Sequence, residues 1–387
     1  MYIPSWQGLG WTELFGSKTA KVLPFPLNVV EAPYFYIARS GIYNLFRFLR
    51  SSPDDTVLAP AYHHGNEIHA IVAAGWKVRF YSIDRHLQLD LEELDGLCDK
   101  RTKAVFVIHY MGWPQPVEKI SEWCRRRNLL LIEDCALSLF SEVKGRPLGS
   151  FGDYAVFCLY KTLPIPNGGL IVQHKSSPAG FLQLHLRNPE KMATMGRCTE
   201  LILERLRLRT DQVGNRIAAL KSKIGDFLNA VRVERTAVGD TGFAVSKADL
   251  AMSALCRSIL RRLDYEHIRC QRRENFLFLQ QYFAGRVATV FADLPNGVCP
   301  LFYPILVRDK KKTARILQKH GIGAVEFWNH GHASVSSLDF PETRFLRDHV
   351  LELPIHQDLQ AKHLEYLARQ VLNLGALAEI NTESAFN

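Results

Sequence analysis

The chain has 387 residues, 47% of them hydrophobic and 22% charged, with a formal net charge of +9. This composition excludes wholesale disorder, and the length points to two domains or to one large domain with a smaller appendage. No stretch approaches the ~18–20 uninterrupted apolar residues of a membrane span, and the start, Met1-Tyr2-Ile3-Pro4-Ser5-Trp6, lacks the basic and apolar regions of a signal peptide.

The first thirty residues read as irregular, broken by Pro4, Pro24 and Pro26. A helix is expected over 41–50, a strand over 56–59 stopped by Pro60, and a helix over 67–74 ended by Gly75. A strand over 77–83 and a helix over 91–97 follow. Residues 104–109 form a continuous apolar run of the kind buried on both faces of a parallel sheet. After them come an amphipathic helix over 117–128 and a buried strand over 129–133. A strand over 153–157 leads through the turn Lys161-Thr162-Leu163-Pro164-Ile165-Pro166-Asn167-Gly168-Gly169 to a strand over 170–172. Such alternation predicts an α/β domain with a mainly parallel sheet, where ligands sit beyond the carboxyl ends of the strands.

Residues 197–235 differ in character. Val213, Ile217, Leu220, Ile224, Phe227 and Val231 recur at helical spacing among Arg205, Arg207, Arg209, Arg216, Lys221, Lys223, Arg232 and Arg235. An arginine-rich helix is expected from 246 to 283, then a strand over 301–307, a helix over 311–320, and a C-terminal helix over 361–374. The expected plan is a large domain over 1–245 with a basic helical insertion at about 185–240, a connecting helix over 246–283, and a smaller C-terminal α/β domain over 284–387.

The eight cysteines (Cys98, Cys124, Cys135, Cys158, Cys198, Cys256, Cys270 and Cys299) contain no Cys-x-x-Cys pair, so no metal site is expected. With no membrane span or signal peptide, they suggest a cytoplasmic protein with reduced thiols.

Several positions carry candidate chemistry. Lys161 offers an amine that holds an aldehyde as an imine and, once freed, moves a proton; its ordinary alternative is a surface lysine. Asp134, just past a buried strand, offers a carboxylate that raises the proton affinity of a neighbouring ring nitrogen; its alternative is a helix N-cap. His64, in Tyr62-His63-His64-Gly65, either stacks on a flat ligand or is an ordinary loop histidine. Ser40-Gly41 either holds a phosphate through helix-start N–H groups or merely begins a helix. Amine, carboxylate, flat ring and phosphate site are the groups that pyridoxal 5′-phosphate (PLP) requires of a protein.

Carried by these residues and their spacing, the sequence resembles the DegT/DnrJ/StrS family of fold type I, PLP-dependent sugar aminotransferases. The resemblance covers about 36–180 and resumes over about 243–373. Ser40-Gly41 stands where the family has a Ser-Gly-Thr phosphate loop, and Pro60 through Gly75 matches a family segment without a gap, with His64 at its ring-stacking position. Thr102-Lys103-Ala104 through His109-Tyr110-Met111-Gly112 is similar to a family strand. Ile132-Glu133-Asp134-Cys135-Ala136 resembles Glu-Asp-x-Ala, whose aspartate meets the pyridine nitrogen. Lys144 through Asp153 resembles the hairpin before the lysine strand, Lys161 precedes Gly168-Gly169 at the family spacing, and Leu351-Glu352-Leu353-Pro354 resembles the Leu-x-Leu-Pro signature. There are departures: Ile42 replaces the phosphate-loop threonine, Leu137 a His or Gln, Val156 a hydroxyl residue and Asn167 a glutamate, and the Asn-Tyr-Arg segment is replaced around Gly242-Phe243-Ala244.

The resemblance implies a homodimeric PLP aminotransferase of fold type I. It would move an amino group from an amino acid, glutamate in the expectation, to a small keto substrate. That substrate would be a nucleotide-linked or lipid-linked keto-sugar of polysaccharide or secondary-metabolite biosynthesis. Trp328, His330 and His332 are candidate substrate contacts. Other PLP chemistry, such as a dehydratase or lyase, is one alternative, although members that eliminate water can lack the lysine that Lys161 supplies. A non-catalytic scaffold is another, motivated by Ile42, Leu137 and Val156. The basic insertion either contacts anionic membrane peripherally or packs on the subunit or dimer surface, and the second reading is favoured because charged faces are usually solvated. No nucleic-acid partner is expected, because the basic residues are not interleaved with exposed aromatics and no groove-reading motif is present.

Overall fold

The apolar runs of the first half of the chain assemble into one sheet, seen in a computed structural model that describes residues 1–17, 22–174, 180–181, 183–210, 243–336 and 338–375. Its strands are β1 (Tyr34–Phe35), β2 (Thr56–Pro60), β3 (Lys77–Tyr81), β4 (Thr102–Ile108) and β5 (Leu130–Asp134), then β8 (Tyr154–Cys158) and β9 (Gly169–Gln173). A separate hairpin, β6 (Glu142–Val143) and β7 (Arg146–Pro147), lies between β5 and β8. The spatial order is β1-β9-β8-β5-β4-β2-β3. Strands β3, β2, β4, β5 and β8 run parallel, and β9 is antiparallel to both β8 and β1. Every residue of β2 and β8, and Ala104 through Ile108 of β4, is buried. Helices cover both faces, so these strands read as unbroken apolar runs.

The helices of this half are α1 (Trp11–Phe15), α2 (Ala38–Leu49), α3 (Asn66–Ala73), α4 (Leu91–Leu97) and α5 (Val117–Arg126). Beyond β9 lie α6 (Lys191–Thr210), α7 (Ala254–Leu260), α8 (Tyr265–Phe283), α9 (Lys310–Lys319), α10 (Pro341–His349) and α11 (Ala361–Leu372). A second, antiparallel sheet pairs β10 (Phe302–Leu306) with β11 (Val350–Pro354). The α/β class and mainly parallel sheet are as expected.

The expected helix over 246–283 is a correction. The chain instead makes a 3₁₀ turn at Val245–Lys247, bridges at Leu250 and Ala251, and then forms α7 and α8. Two N-caps explain the breaks. The Ser253 side chain accepts from the Cys256 N–H at 3.3 Å, and the Asp264 side chain accepts from the His267 N–H at 3.0 Å. Each cap needs extended backbone, so each interrupts a continuous helix. Strand β11 occupies the Leu-Glu-Leu-Pro segment and was not anticipated as a strand. The helical spacing over 213–231, with Arg216, Lys221, Lys223, Arg232 and Arg235, lies outside the described residues, as do Gly242 and 376–387.

The N-terminal segment is not a loose tail. Ile3 is buried and pairs with Ile322, and the Gln7 amide donates to the carbonyls of Tyr160 and Leu163 at 3.1 and 2.9 Å. It thereby ties the segment after α9 to the Lys161 turn. All eight cysteines are free thiols. Among the described residues, no helix is long and apolar enough to cross a membrane.

Candidate active site

A cavity of about 330 Å³ opens at the carboxyl ends of β4, β5 and β8, where Ile108, Asp134, Val156 and Cys158 reach it. Parallel sheets place ligands at this edge because loops and helix amino ends converge there.

Asp134 ends β5, held in register between Ile108 and Val156. One carboxyl oxygen accepts the Ala136 N–H at 2.8 Å. Burial, helped by nearby Glu67, pushes its pKa up to about 7, against the pull of the Ala136 N–H and Lys161. Glu67 stands in the first turn of α3 and is also buried. Burial pushes its carboxyl up, but the His63 and His64 rings beside it and two backbone N–H groups outweigh that and hold it below its usual value. Its carboxylate accepts the His64 N–H at 2.8 Å, which fixes the loop that presents the His64 ring to the cavity. Burial, with the neighbouring Lys161 and Arg39 charges, keeps that imidazole neutral-leaning, its pKa lowered despite Glu67.

Lys161 closes the 3₁₀ turn Leu159–Lys161, and its Nζ lies 5.4 Å from the centre of the Phe327 ring. The turn is fixed from several sides. Leu159 N–H donates to the Gly168 carbonyl at 2.9 Å, and a buried Arg272 nitrogen donates to the Thr162 carbonyl at 3.4 Å. The Gly-Gly pair after it is sterically required. Gly168 has φ +147°, and a Cβ on Gly169 would lie 2.5 Å from the Ala38 backbone. Only glycine lets β9 approach the start of α2 so closely.

Ser40 and Gly41 do not line the cavity. Helix α2 begins at Ala38, three residues before the expected start, and successive side chains on a helix are ~100° apart. Ser40 is therefore turned inward, its Oγ 3.5 Å from the Lys247 carbonyl, and a Cβ on Gly41 would press on Ile171 at 2.8 Å. Arg39 and Ile42 take the cavity face instead.

Leu137 and Val156 also line the cavity, with Cys158 and Tyr160, whose side chains hydrogen bond to each other. Asn167 is buried elsewhere, its Oδ1 accepting the Ser253 N–H at 3.1 Å. Trp328 lines the cavity, whereas His330 and His332 line an adjoining groove of about 550 Å³. Trp6, Arg39, Glu67, Arg197 and Phe327 reach the cavity without having been singled out from the sequence. Only Glu67 carried a signal, an acid in a helix first turn, and that is common without function.

The donor set fits PLP. It combines a primary amine, an imidazole, two guanidinium groups, and a buried carboxyl whose raised pKa marks the lack of a strong cationic partner. A protonated ring nitrogen would supply that partner.

Residues 40–188 match the model of the DegT/DnrJ/EryC1/StrS aminotransferase family. The chain is 31% identical over 123 residues to a GDP-perosamine synthase of Vibrio cholerae, an alignment spanning 31% of this chain and 34% of that protein. It is 32% identical over 177 residues to the dTDP-4-dehydro-2,3,6-trideoxy-D-glucose 4-aminotransferase of Saccharopolyspora spinosa, covering 44% of this chain and 45% of that one. The chain thus spans less than half the length of these curated relatives. The whole fold is similar to a Helicobacter pylori aminotransferase involved in the biosynthesis of pseudoaminic acid, with TM-score 0.68, 17% identity, and coverage of 96% of this chain and 98% of that one.

Proposed function

We propose, from the match of residues 40–188 to the DegT/DnrJ/EryC1/StrS aminotransferase family, that the protein is a PLP-dependent aminotransferase that moves an amino group from an amino acid, glutamate first, to a keto-sugar. The observation that carries this reading is the meeting of the Lys161 amine and the buried Asp134 carboxyl in one cavity at the sheet edge.

Lys161 would hold the cofactor, Asp134 would face its ring nitrogen, and His64 would lie against the ring. When bound, PLP supplies the electron sink that makes the substrate Cα–H acidic. Once released by the incoming amino group, the Lys161 Nζ would be the base that moves that proton, since it is the primary amine of the cavity and its turn is fixed on several sides. A cation beside Asp134 favours the carboxylate, so its proton affinity falls on loading. Trp6, Phe327 and Trp328 line the same cavity and add aromatic surface to it. Two of the relatives above are named for GDP- and dTDP-linked sugars, which makes such a sugar the first acceptor to try. A homodimer is part of the same proposal.

The test uses the purified full chain. Adding PLP should give a yellow protein whose colour fades with glutamate and whose cofactor becomes fixed by borohydride. Lys161→Ala should lose the fixed label. Oxoglutarate release should then depend on a keto-sugar from a panel of nucleotide-linked and lipid-linked acceptors. A protein that stays colourless with excess PLP would sink the reading, and a label surviving Lys161→Ala would show that the wrong lysine was chosen.

A further inference from the structure

We infer that Arg39 and Arg197 form a two-guanidinium clamp for a phosphate monoester, which on the aminotransferase reading above is the phosphate of PLP. Both arginines line the cavity and both are half-buried. They flank the segment that matches the family, since 39 and 197 fall just outside residues 40–188.

The surroundings call for such a clamp. Near the amino end of α2 the cavity wall is made by Ile37, Ala38 and Ile42, none of which has a side-chain donor. Val156 and Leu137 extend this apolar surface. A phosphate bound here without further donors would face hydrocarbon, which is unfavourable for a desolvated charge. The helix itself contributes favourable polarity. Helix α2 is twelve residues long, its N-cap is Ile37, and no side chain caps its first turn. Its N–H groups and dipole favour an anion, but a helix end alone offers partial charges rather than a full one.

The guanidinium groups supply the rest. Arg39 comes from the first turn of α2, and Arg197 from α6, a separate part of the chain. Both charges act on the Tyr160 phenol, so they approach the same wall. Arg39 also acts with Lys161 on His64. Glu200 holds Arg197 at 2.9 Å through Nη1, and the planar fork retains other N–H donors for a second oxyanion. The cavity thus holds both signs of charge, the Asp134 and Glu67 carboxyls and the two arginines. A ligand with a cationic ring nitrogen and a phosphate ester carries both signs as well.

The test is equilibrium binding to the full-length protein. PLP and pyridoxal, which lacks the phosphate, are titrated against wild type, Arg39→Gln, Arg197→Gln and Arg197→Lys, with thermal melting to verify folding. Inorganic phosphate serves as a competitor. Each glutamine variant should weaken PLP about 10- to 100-fold, the range of a lost charge-assisted hydrogen bond, and leave pyridoxal unchanged. Phosphate should compete with PLP in wild type and less in the variants. Arg197→Lys should keep part of the affinity, since charge remains while the fork is lost. Equal weakening of PLP and pyridoxal overturns the clamp. So does unchanged PLP binding with a raised KM for glutamate, which would assign the arginines to the donor carboxylate. A wild type that binds inorganic phosphate through these arginines, yet binds neither PLP nor pyridoxal, keeps the clamp and defeats the aminotransferase reading.

Discussion

The Asp134 carboxyl is buried at the end of β5 with Glu67 as an acidic neighbour, and it titrates near 7 where an unfolded aspartate titrates near 3.8. Between those two values the folded protein holds a proton that the unfolded chain releases. Stability from this group is therefore present at low pH and lost as pH rises from about 4 to about 7. Asp134→Asn removes the cost of the buried charge. The cofactor-free variant should exceed wild type by about 1–3 kcal/mol at pH 8 in urea denaturation, and the gap should close by pH 4. A gap independent of pH would show that Asp134 is not the titrating group. At this scale Lys161, Asp134 and His64 were legible because each sits at a loop or strand end whose spacing is preserved along the chain. The side chains of Ser40 and Gly41 stay off the cavity because α2 already starts at Ala38, so Arg39 and Ile42 are the residues of its first turns that face it.

Between β10 and β11 a buried pair shows how elements set the cavity wall. Lys310 opens α9, and its Nζ donates to the carbonyls of Phe327 and Arg347 at 2.7 and 3.2 Å. Glu352, in β11, accepts the Phe327 N–H at 3.1 Å. Phe327 is thus held through both its N–H and its carbonyl, which positions its ring near Lys161. Burial pushes the Glu352 carboxyl up, and the Lys310 charge draws it back. Lys310→Met should cost about 3–5 kcal/mol, because it leaves Glu352 buried without its cation, and adding Glu352→Gln should restore part of that in a double-mutant cycle. Additive losses in urea denaturation would refute the coupling. Strands β2, β4, β5 and β8 were readable because apolar runs of this length suit a doubly covered sheet. The break at Asp264 was not, since an arginine-rich helical pattern runs through it, with Arg257, Arg261 and Arg262 before and Arg269, Arg272 and Arg273 after.

Arg272 ties the whole molecule together. From α8 it is fully buried and donates to the side chains of Gln357 and Gln7 and to the carbonyls of Leu301 and Thr162, at 3.0 to 3.4 Å. These partners lie after β11, in the N-terminal segment, before β10 and in the Lys161 turn. Burial lowers its pKa to about 10, so it stays charged at neutral pH. Arg272→Met should destabilise by about 2–4 kcal/mol, from several buried acceptors left without donors. Amide hydrogen exchange at Thr162 and Leu163 should rise along with the loss; unchanged exchange there would show that the turn does not depend on this residue. Much of this protein was determined by the sequence alone: the α/β class, the sheet-forming runs, and the lysine and aspartate at the sheet edge. All of these arise from local periodicity and from short spacings along the chain. Tertiary structure alone decided which neighbours share their cavity. Trp6, Arg197 and Phe327 come from segments far apart in sequence, and no local pattern records that folding brings them to one cavity.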